Sequence, residues 1–170
     1  MQVHEAIRTK RATRNFSERP IPDEIVLQIV NAGRRAQSSK NTQPWRFIAI
    51  RDKTRLKALS ETGTYASHLA GAALGVAILT TDPNARWSIM FDAGQAAAYM
   101  QLEAWELGIG SCMATIYEPD RVRELLGFPA DLHIRAAISF GYPVDEVTIA
   151  APPKKGGRQA MDEVLHWERW

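Results

Sequence analysis

The stretch "AALGVAILTT", Ala72 to Thr81, decides the fold class because it is apolar almost from end to end. A strand with one face in water alternates apolar and polar residues, whereas an unbroken apolar run is typical of a strand that is covered on both faces. We therefore predict a central strand here, within a sheet that carries helices on both sides.

Other patterns place further elements around this strand. "WRFIAI", Trp45 to Ile50, predicts a second strand, and "IRAAISFGYP", Ile134 to Pro143, predicts a strand that ends in a turn. Apolar spacing and stop signals predict helices over 3–9, 22–35, 88–107 and 119–126, and "MDEVLHWERW" predicts a last helical turn with a tail. The elements alternate, so the fold class is α+β or α/β, with a central sheet covered by helices.

Length and composition are those of one ordinary globular domain that spans residues 1–170. The chain is 45% hydrophobic and 24% charged, and no apolar run approaches the about 20 residues that cross a bilayer. It shows no secretory signal and has a single cysteine, Cys112, so we expect a cytoplasmic protein without membrane association. The four histidines show no ligand spacing with Cys112, and we expect no metal site.

The charge pattern is uneven. "IRTKRATRNF", Ile7 to Phe16, has four basic residues and no acid, and "APPKKGG", Ala151 to Gly157, is an extended basic loop or a linker. The first run is either a solvated helix end or an anion site built from Lys10, Arg11 and Arg14. Because the net charge is only +2 and the middle of the chain is balanced, a continuous track for polyanions is not expected.

A polar stretch precedes the strand at Trp45. "QSSKNTQPWRF", Gln37 to Phe47, carries two hydroxyls, an Asn and a Gln. This is either a loop with local side-chain hydrogen bonds or a surface that reads the edge of a pyrimidine-like ring, since amides both donate and accept.

These segments together resemble a known family. "KRATRNF", "SSKNTQPWRF", "LGIGSCM", "GYP" and "GRQAMDEVLHWERW" are similar, in order and at comparable spacing, to the nitroreductase family of FMN-dependent oxidoreductases. The resemblance covers nearly the whole chain and implies a nitroreductase-like fold and a domain-exchanged homodimer. In such a dimer the segment 151–170 reaches onto the partner, and two FMN sites lie at the interface.

The resemblance also implies roles for individual residues. Lys10 and Arg11 match a basic pair near the flavin phosphate and ribityl chain, Ala12 stands where a Ser is common, and Arg14 matches the cation at the N1 to C2=O edge of the ring. The remaining matches are Ser38, Ser39, Asn41 and Gln43 beside the flavin, Gly110, Ser111, Cys112 and Met113 along the ring, and Arg158 in the phosphate cluster. No side chain is assigned as catalytic, because the chemistry belongs to the FMN ring.

The implied activity is transfer of hydride from NAD(P)H through FMN to planar, electron-poor acceptors such as nitroaromatics or quinones. Alternatives within the superfamily are reductive dehalogenation, breakdown of the flavin, or use of a deazaflavin. Outside catalysis, a flavin-binding or storage protein and a nucleic-acid-binding module remain open. Tyr65, His68, Trp87 and Tyr117 either line the acceptor pocket or are ordinary packing and surface residues.

Overall fold

A four-stranded sheet forms the centre of the protein. The structure is a computed structural model and describes residues 2–145 and 157–170. The strands are β1 (Trp45–Ile50), β2 (Leu74–Thr80), β3 (Gly110–Thr115) and β4 (His133–Gly141), and their order is β1-β2-β4-β3. All three pairings are antiparallel, so the fold is α+β, which is one of the two classes predicted from the sequence.

Six α-helices accompany the sheet in the described residues. They are α1 (Val3–Thr9), α2 (Asp23–Arg34), α3 (Lys53–Ser60), α4 (Ser88–Glu106), α5 (Pro119–Leu126) and α6 (Met161–Val164), with short 3-10 turns at Ser39–Asn41 and Ser67–Leu69. The helices that the sequence predicted are found within two residues of their expected ends. Gly127 ends α5 with a left-handed φ of 70°, as its position after the apolar pattern predicted.

The sheet separates two apolar layers. Because side chains alternate along a strand, Val76 and Ile78 of β2 pack with α2 and α4, whereas Ala77 and Leu79 pack with α3 and α5. Every residue of β2 is buried, which confirms the predicted doubly covered central strand.

Small residues bring α2 and α4 close together. A Cβ atom on Gly33 of α2 would lie 2.7 Å from Met100 Cγ and 3.3 Å from the Ala96 carbonyl oxygen of α4. This close approach gives a packing role to Gly33 of α2, where the two helices meet at Ala96 and Met100.

Two elements were not predicted. Helix α3 carries only two buried apolar residues, Leu56 and Leu59, among charged ones, and Asp52 caps it by accepting a 2.8 Å hydrogen bond from the Arg55 N–H. Apart from Met113, strand β3 consists of small and polar residues, and it is an outer strand held by β4.

The C-terminal segment does not join the core. Residues 157–170 are exposed throughout, including Trp167 and Trp170, which are 79% and 98% exposed. The rest of the predicted basic loop, residues 151–156, lies outside the described residues. Among the helices of the described ranges, none combines the length and apolar character needed to cross a membrane.

Candidate active site

The basic segment, residues 10–16, leaves α1 and lies along the outer edge of β3. Lys10 caps the helix, Ala12 forms a parallel β-bridge with Ser111, and the Thr13 N–H donates a 2.9 Å hydrogen bond to the Ser111 carbonyl oxygen. Phe16 forms a second bridge with Pro143, just after β4. The structure therefore brings together two stretches that are about 100 positions apart in the sequence and that were both predicted to contact one ligand.

The start of this segment is fixed by side chains. Trp105 of α4 donates its indole Nε1–H to the Thr9 hydroxyl at 3.0 Å, which holds the end of α1 against α4. Arg11 Nη1 donates to the carbonyl oxygens of Arg8 at 3.0 Å and Lys10 at 3.2 Å. Arg11 thus satisfies carbonyl groups at the helix C-terminus, where a cation is also favoured by the helix dipole.

Lys10 is partly buried beside β3. Burial lowers the pKa of the Lys10 ammonium below its usual 10.5, while the neighbouring Cys112 acts in the opposite direction. A cation without full hydration is stabilised strongly by an anionic partner, so this position favours binding of a negatively charged group.

The polar loop, residues 38–43, has an unusual backbone. Lys40, Asn41 and Gln43 have φ angles of 55°, 54° and 46°, in the left-handed region that non-glycine residues rarely adopt. Each such residue costs about 1–2 kcal/mol, with a smaller cost for Asn. Strain of this kind persists only where surrounding contacts enforce it, and it is concentrated at functional sites.

Side chains within the polar loop hold the two amides in one arrangement. The Gln43 N–H donates to Ser38 Oγ at 3.0 Å, and Gln43 Nε2 donates to Asn41 Oδ1 at 3.1 Å, with the amide orientation assigned from this bonding. The Asn41 Nδ2 group and the Gln43 Oε1 atom take no part in these bonds. The exposed loop surface therefore offers an amide donor and an amide acceptor to a ligand.

A buried histidine lies behind β3. His68 Nδ1 is 2.7 Å from Ser139 Oγ, and the Ser139 hydroxyl donates to the Cys112 carbonyl oxygen at 3.2 Å. The serine oxygen then accepts a hydrogen bond from His68 Nδ1–H. Burial, followed by the positive charge of Arg14, lowers the pKa of His68, and the Met113 backbone acts in the opposite direction.

Two hydroxyls at the contact of the basic segment with β3 lack partners. Thr13 Oγ1 and Ser111 Oγ are buried, and neither forms a hydrogen bond with the described part of the chain. Buried hydroxyl groups normally have a partner, so these two are candidates to bind a polar ligand or an ordered water.

An apolar cavity of about 210 Å³ borders the exposed side of β3. It lies between α4 and the sheet, and its lining includes Met90, Ala93, Gly94, Ala97, Ile78 and Met113. Met113 is 44% exposed and so forms one accessible wall.

The comparisons with known proteins fit this geometry. The model of the nitroreductase family matches residues 7–64 and 57–142. A protein of Archaeoglobus fulgidus that carries the name NADH dehydrogenase/NAD(P)H nitroreductase is 36% identical over 149 residues, which are 82% of this chain and 84% of that protein. The chain belongs to the nitroreductase family. This confirms two predictions from the sequence: membership of the family and classification as an oxidoreductase.

Solved structures support the same conclusion for this nitroreductase-family chain. An FMN-dependent nitroreductase from Clostridium difficile R20291 has a TM-score of 0.83 at 28% identity and covers 97% of this chain and 98% of its own. A Parabacteroides distasonis structure has a TM-score of 0.86 over 100% of this chain and 99% of its own, and at 22% identity it supports the fold alone.

The predicted FMN-binding residues of this family member are placed in three groups. Lys10, Arg11, Ala12 and Arg14 lie on the basic segment, Gly110, Ser111, Cys112 and Met113 lie on β3 next to it, and Ser38, Ser39, Asn41 and Gln43 form the polar loop. Arg158 lies in the exposed C-terminal segment, and its part in a phosphate site stays a prediction. Cys112 is 5% exposed, as expected of a small buried residue.

The residues present fit a flavin mononucleotide. The partly buried Lys10 suits its phosphate and the unpartnered hydroxyls of Thr13 and Ser111 suit its polar chain, whereas the polar loop lies before β1, at the opposite edge of the sheet from β3. The sequence analysis did not assign Thr13 to the site, although its position inside the basic run could have indicated it. Ser139 was not assigned either, and its position inside an apolar strand pattern gives no indication of a polar contact.

Proposed function

We propose that this nitroreductase-family chain is an FMN-dependent oxidoreductase that uses NAD(P)H to reduce planar, electron-poor acceptors such as nitroaromatics or quinones. The observation that supports it best is the β-bridge of Ala12 with Ser111, which places the cations of the basic segment beside β3. FMN, when bound, would supply the two-electron chemistry.

The chain's own part would be binding and electrostatics. Lys10 and Arg11 would hold the phosphate, and Arg14 would stabilise negative charge at the ring edge through Coulomb attraction. The amide groups of Asn41 and Gln43 precede β1, at the opposite edge of the sheet from β3, so they would orient the ring edge of a flavin shared between the two subunits of a homodimer. Protons would come from water.

The apolar cavity beside Met113 supports a planar apolar acceptor. Its walls are mostly aliphatic, and an aromatic ring is stabilised there by burial of its faces. Tyr65, Trp87 and Tyr117 are exposed but do not line the cavity, so their contact with an acceptor stays a prediction, whereas His68 is buried and cannot contact an acceptor from its present position.

We also propose a homodimer, formed by one domain per chain, in which the C-terminal segment binds the partner. The exposed Trp167 and Trp170 support it, as do the exposed Ile7 of α1 and Phe91 of α4, because a monomer rarely leaves so many large apolar residues in water. Arg158 would then complete a phosphate site of the partner.

A test of the function starts with the purified full chain and added FMN. We expect uptake of one FMN per chain, bleaching of the flavin absorbance by NADH or NADPH under argon, and recovery of absorbance when nitrobenzene or a quinone is added. A chain that takes up no FMN would contradict the proposal. Bound FMN that neither nicotinamide reduces would favour a binding or storage role instead.

A further inference from the structure

A buried carboxylate of α4 contacts the polar loop. Asp92 is 3% exposed, and both of its carboxylate oxygens accept from the Ser39 N–H, at 3.1 Å for Oδ1 and 3.2 Å for Oδ2. The two residues are 53 positions apart, so the contact joins α4 to the loop rather than serving α4 itself. Burial of a carboxylate costs free energy of folding unless the group is hydrogen-bonded. The bond to the Ser39 N–H therefore offsets the cost of burying Asp92.

The backbone carbonyl group of Ser39 is hydrogen-bonded as well. The Thr42 hydroxyl donates to the Ser39 carbonyl oxygen at 3.1 Å. Arg86 Nη2 donates to Thr42 Oγ1 at 2.6 Å and lies 3.8 Å from Asp92 Oδ2. Asp92, Arg86 and Thr42 thus form one connected network, which we call the loop anchor, around the backbone of Ser39.

The loop anchor lies at the strained part of the chain. Ser39 immediately precedes Lys40 and Asn41, which have positive φ angles, and Gln43 follows one residue after Thr42. Three non-glycine residues of the loop have φ angles in the left-handed region, although these residue types favour other conformations. Contacts from outside the loop are therefore needed to maintain this backbone. Hydrogen bonds to an ionised group are about twice as strong as neutral ones, so Asp92 is well suited to enforce this backbone.

We propose that Asp92 is a positioning residue of the flavin site, which acts through Ser39 to hold the amides of Asn41 and Gln43 in their ligand-binding arrangement. This inference rests on the proposed function. Asp92 itself is buried and would act on the ligand only through the loop. Its removal leaves the amides present but lets the loop relax toward negative φ angles, so binding weakens although no ligand contact has been deleted.

The experiment measures the loop directly and the flavin separately. In the ¹⁵N-labelled full chain without added FMN, hydrogen exchange of the Ser39 amide is followed by NMR for the wild type, Asp92→Asn and Asp92→Ala. We expect slow exchange in the wild type, faster exchange in Asp92→Asn, and the fastest in Asp92→Ala, because Asn retains one acceptor oxygen.

Titration with FMN, followed by flavin fluorescence, gives the second measurement. Loss of a hydrogen bond to a charged group predicts about a tenfold rise in the Kd of Asp92→Ala and a smaller rise for Asp92→Asn. Asp82→Asn is the matched control, since Asp82 is an exposed acid that caps the Asn84 N–H outside the anchor, and it should bind FMN as the wild type does.

Thr42→Val keeps the test valid if the buried substitutions prevent folding. Thr42 is exposed, and its replacement removes the hydroxyl from the anchor with little change of volume, so we expect the same changes in smaller degree. Unchanged Ser39 exchange or an FMN Kd within about twofold of wild type in folded Asp92→Ala would overturn the inference. A wild-type chain that binds no FMN would instead contradict the proposed function, and the exchange data would still report on the anchor.

Discussion

Gly110 of β3 and Thr13 of the basic segment are in direct contact: a Cβ atom on residue 110 would lie 2.6 Å from both Thr13 Cβ and Thr13 Oγ1. Since real Cβ atoms do not approach so closely, any larger residue at position 110 must push the basic segment away from β3. Thr13 itself is buried and cannot turn aside freely.

Gly110→Ala should therefore weaken FMN binding and destabilise the fold. Overpacking of this kind costs about 1–3 kcal/mol, and the displaced segment carries Lys10, Arg11 and Arg14. Thermal unfolding and FMN titration measure the two effects. Gly71→Ala is the control, because a Cβ atom there meets nothing within 4 Å. Equal FMN affinity in both variants would show that the contact does not position the cations.

Arg14→Ala should lower FMN affinity and make the bound flavin harder to reduce. Arg14 is exposed on the basic segment, and a charge-assisted hydrogen bond contributes about 1.5–3 kcal/mol, or roughly a tenfold to hundredfold change in Kd. Redox titration with a reference dye gives the midpoint potential, which should fall. Arg55→Ala removes an equally exposed cation from α3 and should change neither value. If the potential of Arg14→Ala equals that of the wild type, Arg14 does not act on the ring.

The pH dependence of stability should report on His68. Burial and Arg14 lower the pKa of His68 in the folded protein, so the unfolded chain, in which histidine titrates near 6.5, binds the proton first as the pH falls. The free energy of unfolding should then decrease as the pH drops from 6.5 toward the lower folded value.

Urea unfolding at several pH values between 5 and 8 tests this expectation, using wild type, His68→Gln and, as a control, the exposed His4→Gln. The decrease should be shallower in His68→Gln and unchanged in His4→Gln. Parallel curves for wild type and His68→Gln would show that another group causes the acid sensitivity.

Trp167→Ala should weaken the proposed homodimer. Trp167 is 79% exposed in the single chain and would become buried against a partner, and truncation of such an aromatic residue at an interface often costs 2 kcal/mol or more, a roughly thirtyfold change in the dimer Kd. Light scattering over a dilution series measures the dimer fraction. Leu27→Ala on α2, where Leu27 is 69% exposed, is the comparison. A monomeric wild type at all concentrations would contradict the dimer itself.

The sequence predicted those elements whose apolar pattern is dense. Every position of β2 is buried, and Gly127 ends α5 with a positive φ, so pattern and structure agree. Strand β3 escaped prediction because its extended form comes from its neighbours: Ser111 pairs with Phe140 on one side and with Ala12 on the other. The strand propensities of the residues in "GSCMAT" do not indicate that these partners exist.

The candidate site was predictable in its residues and unpredictable in its geometry. The basic and polar stretches could be located from composition and from family resemblance. The backbone at Lys40 and Gln43 could not, since neither residue type favours the positive φ that each adopts. Asp92 had no sequence signal because a single acid within a helix is ordinarily an exposed surface residue.

The bridge of Ala12 to Ser111 also has a consequence for solubility. It occupies part of the outer N–H and C=O row of β3, a row that would otherwise be a template for pairing with another chain. Detaching the basic segment should therefore promote aggregation through strand addition, so the stretch that carries the cations also protects the protein from self-association into fibres.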